Sequence, residues 1–279
     1  MKLSADELRT GAMSAKSLRM AVRTLRESGF LAIEAILPHD WVSHTRQVCN
    51  EALLRYMETL DTQKREAMQR VHTAMFPPIC SPFMDAAAIE NPFAVQVAEA
   101  TIGHDFFCTF YNTNTQWPHS GIQHLHRDFD HLFAGFPVPL PVIQIIVNIP
   151  LVDFTLENGA TEVWPGSHLI VDERPEDGKA LDQRAACLPS VRTTVPAGSI
   201  ILRDMRTWHR GMPNRTSEIR TMLAMIYNRA FLNPYISATE LIEIPRHTWK
   251  QLSPRARQIF RHNPIVDKEP SLDGKAPPY

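Results

Sequence analysis

His126-Arg127-Asp128, read with Ile200-Ile201-Leu202-Arg203-Asp204-Met205-Arg206-Thr207-Trp208-His209-Arg210-Gly211 and with Arg220 beyond it, decides how this chain folds. On a strand, residues i and i+2 point the same way. His126 and Asp128 are therefore expected to share one interior face, with Arg127 on the other side. Two histidines and one carboxylate can hold one face of a ferrous ion and leave the other positions open for oxygen chemistry. The HxD pattern alone says little, because it is common by chance and an isolated histidine is more often a hydrogen-bonded core or surface residue. The second stretch supplies the missing ligand. An apolar strand leads into His209, Pro213-Asn214-Arg215-Thr216 reads as a turn, and Arg220 to Tyr227 reads as a returning strand. A hairpin of that length would bring Arg220 to the interior that holds His209. An inward arginine is costly unless paired, and its fork can clamp a carboxylate; the plain alternative is a surface Arg–Asp pair. His-Arg-Asp also spells the catalytic-loop tripeptide of protein kinases. That loop needs asparagine where Phe133 stands, and neither a GxGxxG loop nor a DFG triplet occurs.

The surrounding chain divides by texture. Ser14 to Ser28 has Leu, Met, Ala and Arg at helical spacing and stops at Gly29. Phe30 to Leu37 reads as a strand, and Pro38-His39-Asp40 opens a second helix to about Leu60. Residues 61 to 92, with Pro77-Pro78, Pro82 and Pro92, read as a loop region, and Ala94 to Ile102 as one more helix. From Phe106 onward short β-prone runs appear: Phe106 to Tyr111, Val142 to Ile149, Glu162 to Trp164, Arg192 to Val195, Ser199 to Leu202 and Thr221 to Phe231. Asn158-Gly159, Pro165-Gly166, Ala197-Gly198 and Pro213-Asn214 punctuate them. That order argues for a mainly β sandwich or barrel with flanking helices. A helix near His247 to Arg261 and a proline-bearing tail, expected to be mobile, close the chain.

Bulk properties exclude several classes. With 279 residues, 44% hydrophobic, the chain can fill one large core. A net charge of −1 with no block of like charge argues against nucleic acid. No apolar run reaches the roughly 18 residues of a membrane helix, and Met1 to Thr10 lacks a signal-peptide core. Cys49, Cys80, Cys108 and Cys187 are scattered and read as buried thiols, so a cytoplasmic protein is expected.

Taken together, the HxD, the distant histidine and the following arginine resemble the phytanoyl-CoA dioxygenase family of iron(II)/2-oxoglutarate-dependent oxygenases. Further segments carry the same resemblance. Glu157-Asn158-Gly159-Ala160-Thr161 and Trp164-Pro165-Gly166-Ser167-His168 are similar to the family's ENGA/P and PGSH segments, and Glu27-Ser28-Gly29-Phe30 to its opening DGF segment. Gln123 sits where several members use an amide to touch 2-oxoglutarate. The likeness covers about residues 15 to 235 and implies a double-stranded β-helix, a cupin-like jelly roll. It implies a single domain: an N-terminal helical part to about residue 105, a jelly-roll core from 106 to 235, and a C-terminal helix and tail from 236 to 279. His126, Asp128 and His209 would hold Fe(II), Arg220 would pair with the distal carboxylate of 2-oxoglutarate, and Gln123 and Thr161 would assist. O2 is then the oxidant. The alternatives for Thr161 and Gln123 are a turn-closing hydroxyl and a surface amide.

Related halogenases carry a small residue at the position of Asp128, so the carboxylate favours oxygen transfer or desaturation. His124, His131 and His168 read as structural or substrate-lining. Trp117, Phe129, Phe133, Phe136, Trp164 and Trp208 are candidates for an apolar pocket, with core packing the commoner explanation for any one. The expected substrate is a small natural product, because Lys and Arg are dispersed and the insert Phe136 to Pro141 is apolar. An acyl-CoA substrate and a non-catalytic jelly-roll binding protein are the competing readings. Monomer and homodimer are both open.

Overall fold

The computed structural model describes residues 1–133, 135–171, 179–236 and 241–275. Its helices are α1 (Ala5–Thr10), α2 (Ala15–Ser28), α3 (His39–Glu58), α4 (Thr62–Arg70), α5 (Ala86–Ile89), α6 (Pro92–Ile102), α7 (Lys179–Ala185), α8 (Arg246–Gln251) and α9 (Pro254–Ile259). Its strands are β1 (Phe30–Ile33), β2 (Thr73–Met75), β3 (Phe107–Gln116), β4 (Gln144–Pro150), β5 (Glu162–Val163), β6 (Val191–Arg192), β7 (Ile200–Asp204), β8 (His209–Arg210), β9 (Arg220–Asn228), β10 (Ile244–Pro245) and β11 (Ile265–Val266). Six strands form one antiparallel sheet in the order β1-β7-β4-β9-β3-β2, and three form a second in the order β6-β5-β8. A cavity lies between these sheets and is lined from both. This is the expected double-stranded β-helix, with helices on the outside of the larger sheet.

Local chemistry explains the elements. Ser14 accepts a hydrogen bond from the Ser17 N–H to start α2, and Gly29 at φ 81° ends it. Asn91 caps α6, with Pro92 at its first position. Along β3, β9, β4 and β7 the side chains alternate between two faces. Tyr111, Leu223, Met225, Val147 and Leu202 face the helices and join the largest apolar cluster, which runs from Met13 in the sequence to Phe260. Phe110, Asn112, Ile146, Asn148, Met222, Ala224, Ile201 and Arg203 face the cavity.

Several expectations need correction. The region 61 to 92 is not loop alone: Asp61 accepts from the Lys64 N–H and starts α4, while β2 and α5 follow. The three residues of β2 are too few to carry a pattern and depend on pairing with β3. The strand at Phe30 stops at Ile33, the last residue opposite β7, and Ala35 turns the chain at φ 49°. The closing helix is two helices, because a residue before proline resists the helical region; Ser253 instead caps α9 at Pro254. The tail is pinned up to Lys275, which pairs with Phe76, and 276 to 279 lie outside the described residues. Only Cys49 and Cys108 are buried; Cys187 is exposed and Cys80 half-buried, and all four are free thiols.

Candidate active site

His126 and His209 meet in an isolated antiparallel bridge. The His126 N–H donates to the His209 carbonyl at 3.1 Å, and the His209 N–H donates back at 2.9 Å. Their rings stand 4.3 Å apart, centroid to centroid. Asp128 Oδ1 lies 3.6 Å from His126 Nε2 and 3.5 Å from His209 Nε2. One ligand atom from each residue lies within 4.8 Å of the others, so a single ion can touch all three. The strand expected around His126 is reduced to this bridge, and Asp128 is held instead by its N–H donating to the Met205 carbonyl at 3.0 Å. The shared orientation of His126 and Asp128 survives, with Arg127 buried on the other side against Asp130.

Both imidazoles are oriented by the main chain. His126 Nδ1 is 2.9 Å from the His124 carbonyl, and His209 Nδ1 is 3.0 Å from the Thr207 carbonyl. A carbonyl only accepts, so the tautomer that satisfies both contacts carries its proton on Nδ1 and leaves the Nε2 lone pair for a metal. Burial, reinforced by the Arg203 guanidinium, holds His209 well below the usual imidazole range, so it is neutral at pH 7. Burial would raise Asp128, but Arg203 and the two histidines outweigh it and hold the carboxyl well below the usual carboxylate range. Two imidazole nitrogens and one carboxylate oxygen fit a facial iron site.

Arg220 opens β9 opposite Gln116 and is 1% exposed. Its Nε and Nη1 have no hydrogen-bond partner among the described residues, and its guanidinium lies 4.5 Å over the Phe154 ring. Burial, with Arg192 nearby, pushes its pKa down to about 9. A buried guanidinium with idle donors calls for an anion. Gln123, His126, Asp128, Thr161, His209 and Arg220 all line one cavity of about 340 Å³. Gln123 Oε1 accepts from the Gly211 N–H at 2.9 Å, which leaves its amide nitrogen for the cavity. A Cβ on Gly211 would come to 2.5 Å from Gln116 Nε2 and 3.1 Å from Gln123 Oε1, so a larger residue here would push on both amide ends. The turn before Thr161 is closed by Asn158 and Thr155, not by the Thr161 hydroxyl.

A model of the phytanoyl-CoA dioxygenase (PhyH) family matches residues 25–222. The chain belongs to this family. It is 33% identical over 262 residues to dioxygenase trt7 of Aspergillus terreus, covering 87% of this chain and 83% of the relative. It is 28% identical over 188 residues to the iron/alpha-ketoglutarate-dependent dioxygenase ausO of Aspergillus calidoustus, covering 64% and 60%. Among solved structures, EctD from S. alaskensis with 2-oxoglutarate and 5-hydroxyectoine superposes with a TM-score of 0.60 at 18% identity, covering 86% of each chain. The protein is a non-heme iron, 2-oxoglutarate-dependent dioxygenase.

Arg220 does not reach the site by a hairpin with β8. β8 pairs with β5 in the small sheet and β9 with β3 and β4 in the large one, so His209 and Arg220 face each other across the cavity. Ser167 supports the His209 segment, because its Oγ accepts from the Trp208 N–H at 2.8 Å. His168 and His131 stand outside the cavity, each with Nε2 against a main-chain carbonyl, of Arg26 and Ile170. His124 is exposed beside His126. None of the six candidate aromatics lines the cavity. Trp117, Trp164 and Trp208 are core, Phe129 packs between two clusters, and Phe133 and Phe136 are exposed. The insert 136 to 141 does not line it either.

Sequence reasoning missed Arg203 and His72. Arg203 donates to Asp128 Oδ2 at 2.6 Å. The signal was a charge inside the apolar run Ile200 to Leu202, on the same strand face as Ile201. His72 lines the cavity and is held below the usual imidazole range by burial and nearby His126 and Arg220. Nothing in its local sequence marks it.

Proposed function

We propose that this enzyme oxidises an unactivated C–H bond of a small, largely apolar natural product, by hydroxylation or by a related desaturation or ring closure. One observation carries the reading: buried Arg220, with two idle donors, shares a single cavity with the His126–Asp128–His209 cluster. In this reading the three side chains hold iron on one face. Arg220 takes the distal carboxylate of 2-oxoglutarate, and Gln123 and Thr161 are its polar neighbours. Bound iron and 2-oxoglutarate supply oxygen activation coupled to release of succinate and carbon dioxide. The protein's own part is to fix one C–H bond near the metal and keep water from it.

The rest of the cavity indicates the substrate class. Phe110, Ile146, Met205 and Ile226 form one apolar wall. Among the described residues no lysine lines the cavity. Such a wall suits an uncharged apolar body and offers nothing to the phosphates of coenzyme A. We place the activity in the cytoplasm, in one domain whose calorimetric unfolding is expected as a single transition; two separated transitions would contradict it. No described helix is long and apolar enough to cross a membrane.

Anaerobic addition of iron(II) and 2-oxoglutarate tests the site. A weak charge-transfer band near roughly 500 nm is expected from chelation at an open facial site, together with iron-dependent succinate formation. Absence of both would sink the proposal. Tight, productive binding of a fatty acyl-CoA would overturn the substrate class alone.

A further inference from the structure

We propose that Arg203 is a positioning residue for the metal centre: it ties up one oxygen of Asp128 so that the carboxylate meets the ion through the other. The inference rests on reading His126, Asp128 and His209 as the metal ligands. Arg203 is 5% exposed, yet its row across the sheet is apolar. Phe30 and Ile146 flank it in register, and Ile226 and Phe110 continue the row. The counter-charge comes from the loop above. Nη2 donates to Asp128 Oδ2 at 2.6 Å, while Oδ1 is the atom that faces both imidazole Nε2 atoms. Nη1 lies 3.1 Å from His209 Nδ1 and 3.5 Å from the Thr207 carbonyl, the same carbonyl that holds the His209 ring. With Nδ1 protonated, Nη1 and Nδ1–H converge on that one oxygen. A single planar guanidinium therefore bonds one ligand directly and shares with a second the carbonyl that orients it.

The rigid fork matters here. A carboxylate free to rotate can chelate through both oxygens and occupy a position that oxygen and the co-substrate need. Arg203 opposes that rotation by holding Oδ2 away from the ion. Lysine, a point charge on a flexible stem, could neutralise Asp128 but lacks the fork that also reaches the Thr207 carbonyl.

The test uses the full apo-protein with Co(II) as the probe, read anaerobically by its visible ligand-field bands. Thermal melting establishes that each variant is folded. Arg203→Met is expected to weaken Co(II) binding about 10- to 100-fold, the usual effect of removing an outer partner of a metal ligand, and to move the bands as the carboxylate changes its binding mode. Arg203→Lys should fall between the two. Wild-type affinity and unchanged bands in folded Arg203→Met would overturn the proposal. Where Arg203→Met does not fold, Arg203→Lys decides: weaker binding with moved bands supports it, and wild-type values overturn it. Should the wild type not bind Co(II), or Asp128→Ala leave binding unchanged, the metal-site reading falls and this inference with it. Wild-type binding that is indifferent to Arg203 removes this inference alone.

Discussion

The two faces of the six-stranded sheet share one backbone and carry opposite chemistry. Toward the helices, Tyr111, Val147, Leu202, Leu223 and Met225 are buried in one apolar cluster, and the Tyr111 hydroxyl donates to the Phe83 carbonyl. Toward the cavity, Asn112 Oδ1, Asn148 Nδ2 and Arg220 Nε and Nη1 are buried without partners among the described residues. Unpartnered buried polar groups cost stability, so the first face holds the fold together while the second is kept at the fold's expense. The lesson is that adjacent residues of one strand can be selected for opposite ends, and the two roles are separable by mutation.

The largest separation is expected at the His126–Asp128–His209 cluster. His209→Ala or Asp128→Ala should cut succinate formation about 10³-fold or more, equivalent to about 4 kcal/mol of lost transition-state stabilisation, while circular dichroism shows a folded protein. A folded variant keeping a large share of turnover would erase the functional meaning of the cavity face. Leu202→Ala, one residue before Arg203 and on the other face, should instead lower stability by about 2–5 kcal/mol in denaturant titration. Its folded fraction should still bind iron and 2-oxoglutarate normally.

Arg220→Met sharpens the contrast most directly. Removing a buried, unpaired cation should leave the apo-protein as stable or more so, by about 1–3 kcal/mol. The same change should raise the 2-oxoglutarate KM about 10- to 100-fold through lost charge-assisted bonds. Destabilisation as large as that of Leu202→Ala would mean that Arg220 belongs to the structural face.

The smallest effect is in pH. His209 and His168 are both held below the ordinary imidazole pKa of about 6.5, chiefly by burial. Below that value the unfolded chain takes up protons that the folded chain refuses, so stability is present above pH 6.5 and is lost as pH falls. Melting of the apo-protein should therefore shift to lower temperature from pH 7 to pH 5, and His168→Gln should flatten part of that slope. A melting temperature that rises on acidification would contradict the burial of both rings.

Much of this was legible along the chain because local rules act locally. Ser14 and Gly29 bound α2, Pro92 opens α6, and the Gly, Pro and Asn punctuation after Phe106 marks a β domain. The six candidate site residues, four flagged by spacing and Gln123 and Thr161 by the family resemblance, line one cavity. Illegible were β2, which exists only as a partner of β3, and the aromatic candidates, whose destinations depend on which cluster lies opposite.

Residue order thus settled most of the helices and the mainly β character of the chain after Phe106, since alternation, capping and turn chemistry need only near neighbours. The tertiary structure decided what crosses between sheets. It put His209 and Arg220 on opposing walls instead of one hairpin, lined the cavity with Phe110 and Ile146 instead of the tryptophans, and brought Arg203 to Asp128. Those outcomes depend on how two sheets pack face to face, a distance relation that no stretch of sequence encodes alone.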